Sequence, residues 1–233
     1  AAGGADAPPS GERWPPPSSA LPLDVIADAV AVDASHCGAT SLCAVLRRVR
    51  GAKGAEVSVA VANAGTGRCV LGRRGAAGAA SAAGGAVVEL STDHRPSIAA
   101  EKRRILLADA PVSRVDAAGL LDGSLGCSRA IGSLRYKVPQ GADRADQVLT
   151  AVPEVRTASG LGAGDVLVLA TDGVWGVLSA DAALGEARAA RTALGASAPT
   201  SAVCAAVIDL CLKDSRPGSP ASDNMTVVIA EIC

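Results

Sequence analysis

Apolar runs recur along this chain, and each stops on a short cluster of Gly, Asp or Pro. LCAVLRRVR (42–50), EVSVAVANAG (56–65), RCVLGR (68–73) and AVVELS (86–91) predict strands joined by short Gly-rich turns. VLTAVPEVRT (148–157) and DVLVLAT (165–171) predict two more, and MTVVIAEI closes the sequence as a strand. The run over 166–170 holds no polar residue, so it predicts a strand buried on both faces.

Helical patterns lie between these runs. IAAEKRRILLADA (98–110) follows a proline and has mixed helical periodicity, with Lys102, Arg103 and Arg104 as a solvated face. Ser179 is placed to cap ADAALGEARAARTAL. In TSAVCAAVIDLCLKD, Val203, Val207, Leu210 and Cys211 share one face, which predicts an amphipathic helix. DVIADAVAVDA, from Asp24, reads as a short helix. Residues 1–23 are rich in Pro, Ala, Gly and Ser and predict a disordered or extended segment, and 74–85 (RGAAGAASAAGG) predicts a low-complexity hairpin loop. Consecutive strands early and two helices late predict an α+β layering with hairpin-linked antiparallel sheets.

Composition narrows this picture. Of the 233 residues 49% are hydrophobic, yet there is no Phe, and Trp14, Trp175 and Tyr136 are the only aromatic side chains. The core must be built from Val, Leu, Ile and Ala. The net charge of −1 gives no electrostatic case for nucleic acid or an anionic membrane surface. No stretch is apolar enough to span a bilayer, and no secretory signal stands at the start. The seven Cys form no C-x-x-C pair. Cys37, Cys43, Cys204 and Cys211 sit in apolar patterns and read as small core residues in a reducing compartment, cytoplasmic or nuclear. The sole Met is Met225 and the sequence starts at Ala1, so a fragment of a longer chain is expected.

Chemistry concentrates where buried strands meet carboxylates. Asp172-Gly173 interrupts an apolar run that resumes at Val174-Trp175. A turn aspartate, a helix cap and a metal ligand compete there, and the pair alone favours the turn. Asp223 precedes another buried strand. If the two strands are antiparallel neighbours, both carboxylates share one sheet edge, and two held together repel unless a cation or proton lies between them. Oxygen-rich sites of that kind suit Mg²⁺ or Mn²⁺. Without a register, two unrelated loop aspartates remain the simpler reading.

Seven segments, in order from about His36 to Cys233, resemble the protein phosphatase 2C (PPM-type) family of metal-dependent Ser/Thr phosphatases. CGATSLCAVL resembles its Gly-Ser/Thr-Thr-Ala strand, and VANAGTGRCVL its "VANVGDSRAVL" hairpin. LSTDHRPSIAAEKRRI is similar to "LSxDHKPxxxxEKxRI", and RVDAAGLLDGSLGCSRAIGS to "RVxGxLAVSRAxGD". VPEV is similar to "EPEV", LATDGVWGVLS to "LACDGLWDVLS" and SDNMTVVI to "SDNxTVVV". The resemblance implies a β-sandwich of two antiparallel sheets flanked by helices, truncated at its N-terminal side and occupying 24–233. It implies two Mg²⁺ or Mn²⁺ ions activating a water that attacks phosphorus. Asp172 and Asp223 match ligands of that dinuclear site, with Gly173 adjacent. Asp93 matches a ligand of an additional, weaker metal. The implied substrate is a phosphorylated protein, and the expected state is a monomer.

Departures from the family pattern qualify the expected activity. The front third of the pattern, with its Asp-Gly-His-Gly-Gly stretch and phosphate-binding Arg, has no counterpart. No Asp-Gly-His occurs, and His36 and His94, the only histidines, lack that context. No catalytic residue is identifiable. Ser133 stands at a lost carboxylate position, Thr66 in the Gly-Asp-Ser-Arg turn, and Gly176 where the family has Asp after Trp. Weak metal binding and little turnover are therefore expected. Arg68 and Arg129 read as structural ion-pair residues, His94 as a hydrogen-bonded loop residue, and Trp175 as a core anchor. Two functions stay open: the back part of a phosphatase, and a pseudophosphatase that binds a partner. A generic α+β scaffold is the distant third.

Overall fold

Two strands of eleven residues each form the longest hairpin. Strands β1 (Gly38–Ala39) and β2 (Ser41–Gly51) are followed by β3 (Gly54–Ala64), which pairs antiparallel with β2 from Ser41↔Ala64 to Gly51↔Gly54. A computed structural model describes residues 35, 37–51, 54–75, 85–112, 114–213 and 223–233. The expected N-terminal segment and short helix (1–34), most of the 74–85 loop, and His36 lie outside the described residues.

β3 also pairs antiparallel with β7 (Glu154–Leu161), giving a three-stranded sheet ordered β2-β3-β7. The second sheet has four strands, ordered β5-β4-β8-β9, all antiparallel. Its members are β4 (Arg68–Gly72), β5 (Val87–Glu89), β8 (Val166–Ala170) and β9 (Val227–Glu231). A short β6 (Ile131–Gly132) pairs with β1.

Side-chain parity then builds two layers of core. Val59, Val61 and Leu161 from the first sheet meet Cys69, Leu71 and Leu167 from the second. This is a face-to-face sandwich. On the opposite side of the second sheet, Val70, Val166, Val168 and Ile229 receive two helices. These are α3 (Ala180–Leu194), through Leu184, Ala187 and Ala190, and α4 (Thr200–Leu212), through Val203 and Val207. The strand over 166–170 is thus covered on both faces, as its unbroken apolar run predicts. Ser179 caps α3, its hydroxyl accepting the Ala182 N–H at 3.2 Å.

The chain between β5 and β7 has its own core. Helix α1 (Ala99–Leu107) lays Ile105 against Leu121, Tyr136, Val148 and Leu149. Here the structure corrects the strand expected over 148–157. Val148 and Leu149 are fully buried in an irregular segment, Thr150 makes one isolated bridge to Arg129, and a paired strand begins only at Glu154. Pro153 has no N–H to offer a ladder. Thr150 folds the segment on itself, its hydroxyl donating to Arg144 O at 2.6 Å and accepting the Val152 N–H at 3.0 Å.

Two cysteine assignments also change. Cys43 is exposed, because the neighbours that reach the inter-sheet core are Leu42 and Ala44, and successive strand residues point to opposite faces. Cys37, before β1, is exposed too. Cys211 is buried as expected, and Cys204 half-buried. Arg104 is not solvated: it donates to Glu101, Ser128 O and Val148 O, while Lys102 and Arg103 are exposed.

Candidate metal site at the β8–β9 end

β8 and β9 are antiparallel neighbours in register Ala170↔Val227, so the residues after β8 and before β9 share one sheet end. Pairing continues past the ladder. Thr171 N–H donates to Thr226 O at 3.1 Å, and Thr226 N–H to the Thr171 hydroxyl at 3.0 Å. One step further, Asp223-Asn224 crosses directly over Gly173. A Cβ on Gly173 would lie 2.4 Å from Asn224 O and 3.4 Å from Asp223 Cβ. That close approach explains the glycine. It also corrects the turn reading, because Asp172–Trp175 form a one-turn helix, α2, whose glycine is not left-handed.

The structure therefore brings Asp172 and Asp223 to the same end of the second sheet. Asp172 is half-buried, and its Oδ2 accepts the Thr66 hydroxyl at 2.8 Å. Thr66 sits in the tight β3–β4 connection. Asp223 is exposed, and its Oδ1 accepts the N–H of Asn224 at 2.7 Å. Among the described residues these bonds engage one oxygen of each carboxylate.

Asp93 is differently placed. Its Oδ1 accepts Arg68 Nε at 3.1 Å and its Oδ2 accepts Arg95 Nε at 3.4 Å, so both oxygens face cations. Arg68 in turn lies 5.8 Å from the Trp175 ring centre, and Trp175 Nε1 donates to Ala170 O at 2.9 Å and Arg68 O at 3.2 Å. The ion pair and the indole form one wall beside α2. Ser133 is buried in a left-handed conformation (φ 50°), donating its N–H to Cys37 O at 2.6 Å.

Three buried groups hold this end together, and pattern reading gave no role to two of them, Asn63 and Glu101. Asn63 is fully buried, and its amide nitrogen lies 3.2, 2.9 and 2.8 Å from the carbonyls of Gly65, Gly67 and Thr92. His94 donates its backbone N–H to Gly65 O, while Gly65 N–H donates to His94 Nδ1 at 3.3 Å. That bond makes Nδ1 an acceptor and leaves the proton on Nε2, 3.6 Å from Glu154. Burial lowers the His94 pKa, Arg129 lowers it further, and Glu101 and Glu154 oppose them. The neutral ring fits the loop role expected for it. Glu101 is the third group. Arg129, Arg104 and Ser128 all donate to its buried carboxylate, so Arg129 is an ion-pair residue, as expected.

Cys127 is half-buried nearby. Burial pushes its thiol up, Lys137 offsets part of the shift, and the charge of Asp172 adds to it. Asn63 lies inside the quoted hairpin motif, and His94 and Glu101 inside LSTDHRPSIAAEKRRI. Their partners are brought to them by tertiary contacts.

The donor set can be tested against the implied metals. Hard dications take about six oxygen ligands. Asp172 and Asp223 together offer at most part of the oxygen shell of one such ion. They do not make a dinuclear site, and no group of three His, Cys, Asp or Glu is gathered among the described residues.

Comparison with known proteins agrees with the fold. The family model "Protein phosphatase 2C" matches residues 21–216. A rice relative, "Probable protein phosphatase 2C 58" of Oryza sativa subsp. japonica, is 33% identical over 195 residues, 84% of this chain and 46% of its own length. "Probable protein phosphatase 2C 60" of Arabidopsis thaliana is 34% identical over 194 residues, 83% of this chain and 47% of its own. A phosphatase structure from Toxoplasma gondii superposes with a TM-score of 0.59 at 28% identity, covering 76% of this chain and 49% of that one. The architecture is that of a PPM-type β-sandwich, and the chain belongs to the protein phosphatase 2C family. It spans about half the length of these curated relatives.

Proposed function

We propose that this chain carries the Asp172/Asp223 part of a metal-dependent protein serine/threonine phosphatase domain. The observation that supports it is the β8–β9 register, which sets both carboxylates at one sheet end. In this reading the two hold one hydrated Mg²⁺ or Mn²⁺, and the ion supplies a polarised water for phosphoryl hydrolysis. The substrate is a phosphoserine or phosphothreonine protein, and the remaining ligands and phosphate contacts would come from the front part of the family pattern, which has no counterpart in these 233 residues.

A specific observation favours a second reading, a pseudophosphatase that binds a partner. Asp93 is held by two arginines, and Ser133 and Thr66 carry hydroxyls where the family pattern has carboxylates. Joining the chain to the front segment of the rice relative separates the two. The phosphatase reading expects Mn²⁺-dependent hydrolysis of a phosphopeptide that falls at least about a hundredfold in Asp172→Ala. A folded chimera that stays inactive, with Ser133→Asp as well, supports the binder. Activity indifferent to Asp172→Ala rejects the site.

A further inference from the structure

At the other end of β8 lies an open cleft of about 670 Å³, bordered by Asp165, Val166, Arg74, Arg188, Arg191 and Glu231. Four residues of strand, about 13 Å, separate Val166 from Ala170 and so from the Asp172 end. A volume in this range is typical of small-molecule sites.

The charges in the cleft do not cancel. Glu231 is taken by Arg191, whose Nε and Nη2 donate to it at 2.8 and 2.5 Å, and Thr200 adds a third bond. Asp165 is taken by Arg73 Nη1 at 3.2 Å, the Arg74 N–H at 2.7 Å and the Gly162 N–H at 3.1 Å. Two guanidinium groups are left over. Arg188 Nη2 donates to Gly72 O at 2.9 Å and Arg73 O at 3.1 Å, which fixes the group but leaves its charge unneutralised. Its Nε is buried with no partner. Arg74 is exposed, and its side chain makes no ion pair among the described residues. Gly164 leaves room for that arginine: a Cβ there would come within 2.8 Å of Arg74 Cδ.

We propose that this cleft binds a small phosphate-bearing anion, with Arg74 and Arg188 as its two cationic contacts. Guanidinium groups match a phosphate's oxygens in geometry, and such charge-assisted bonds are the strong ones. The cleft is remote from Asp172, so the anion is an effector and not the reacting phosphate. The small apolar wall at Val166 and Ile232 suits a short organic body behind the phosphate.

Isothermal titration of the whole chain at low salt, with EDTA present, tests this. One arm uses inorganic phosphate and the other free phosphoserine, which separates the bare ion from one carrying a body. Saturable binding of either is expected, about tenfold weaker in Arg74→Gln and in Arg188→Gln. Asp172→Asn should bind as the parent does. Arg188 also supports the end of β4, so should its variant fail to fold, Arg74→Gln decides alone. No saturable binding in either arm, binding unaltered in Arg74→Gln, or binding lost in Asp172→Asn while kept in Arg74→Gln would each overturn the proposal.

Discussion

Gly173 has no side chain, yet it sets the geometry of the candidate metal site. Asn224 O occupies the space a Cβ would need, at 2.4 Å, and that contact is to backbone. Gly173→Ala should therefore push the Asp223 segment away from Asp172 and cost about 1–3 kcal/mol of stability. Chemical denaturation checks the cost, and an unchanged midpoint would show that the strand end yields freely. The same two carboxylates limit metal affinity. Calorimetry with Mn²⁺ on the isolated chain should show no sub-micromolar site, since two carboxylates leave most of a hard ion's oxygen positions to water. Tight binding abolished by Asp172→Ala would refute this. Glu101 is a different kind of carboxylate. Burial works against its ionisation, but hydrogen bonds from Arg129, Ser128 and Arg104 outweigh that and bring its pKa from 4.5 to about 2. Its folded-state value lies below the unfolded one. The stabilisation is thus complete above about pH 4.5 and drains away as pH falls towards about 2, amounting to about 3 kcal/mol at most. Glu101→Gln should flatten the acid limb of a stability-against-pH curve and lower stability at neutral pH. A parallel curve would place the acid sensitivity elsewhere.

Elements were legible where a local rule and the tertiary outcome agree. The 166–170 run is buried on both faces because a sheet lies on one side and two helices on the other, and an unbroken apolar strand says as much. Ser179 is as readable, since capping is decided within three residues. Ser179→Ala should cost about 1 kcal/mol, seen as a lower thermal midpoint, while Ser179→Asp should keep most of the stability. Equal losses in both would mean the hydroxyl does not cap. What failed was parity and register. Cys43 lies in an apolar run, but only the pairing Cys43↔Ala62 shows that it faces outward. The strand expected from residue 148 starts at Glu154, because Val148 and Leu149 serve a separate core around Ile105. Arg104 looks like part of a solvated cationic face until the loop carrying Ser128 is brought over it. That Asp172 and Asp223 share one sheet end was legible only as a condition, through their place beside two apolar strands, and the β8–β9 register meets that condition. Thr66, His94 and Glu101 gain their roles from partners 25 or more residues away, and no local pattern encodes that.

Across the whole molecule the two sheets are covered unequally. Helices α3 and α4 roof the second sheet. The outer face of the first presents Val45, 60% exposed, and Val155, 59% exposed, with Cys43 beside them. Contiguous apolar surface of that kind promotes association. In light scattering at raised concentration, Val45→Thr with Val155→Thr should delay aggregation without lowering the unfolding midpoint. Catalysis follows from the same incompleteness. Phosphoryl hydrolysis needs an activated water, a phosphate clamp and an acid for the leaving group. Among the described residues two carboxylates meet part of the first need. His94 is buried, depressed in pKa and bonded at Nδ1, so it is no ready acid. The isolated 233 residues should thus turn over p-nitrophenyl phosphate or a phosphopeptide negligibly, even with Mn²⁺, and the double threonine variant should stay as inactive as the parent. Improved solubility without activity would locate the deficit in missing ligands. Activity gained with solubility alone, and lost again in Asp172→Ala, would show that the two carboxylates suffice and that the site had been masked by association.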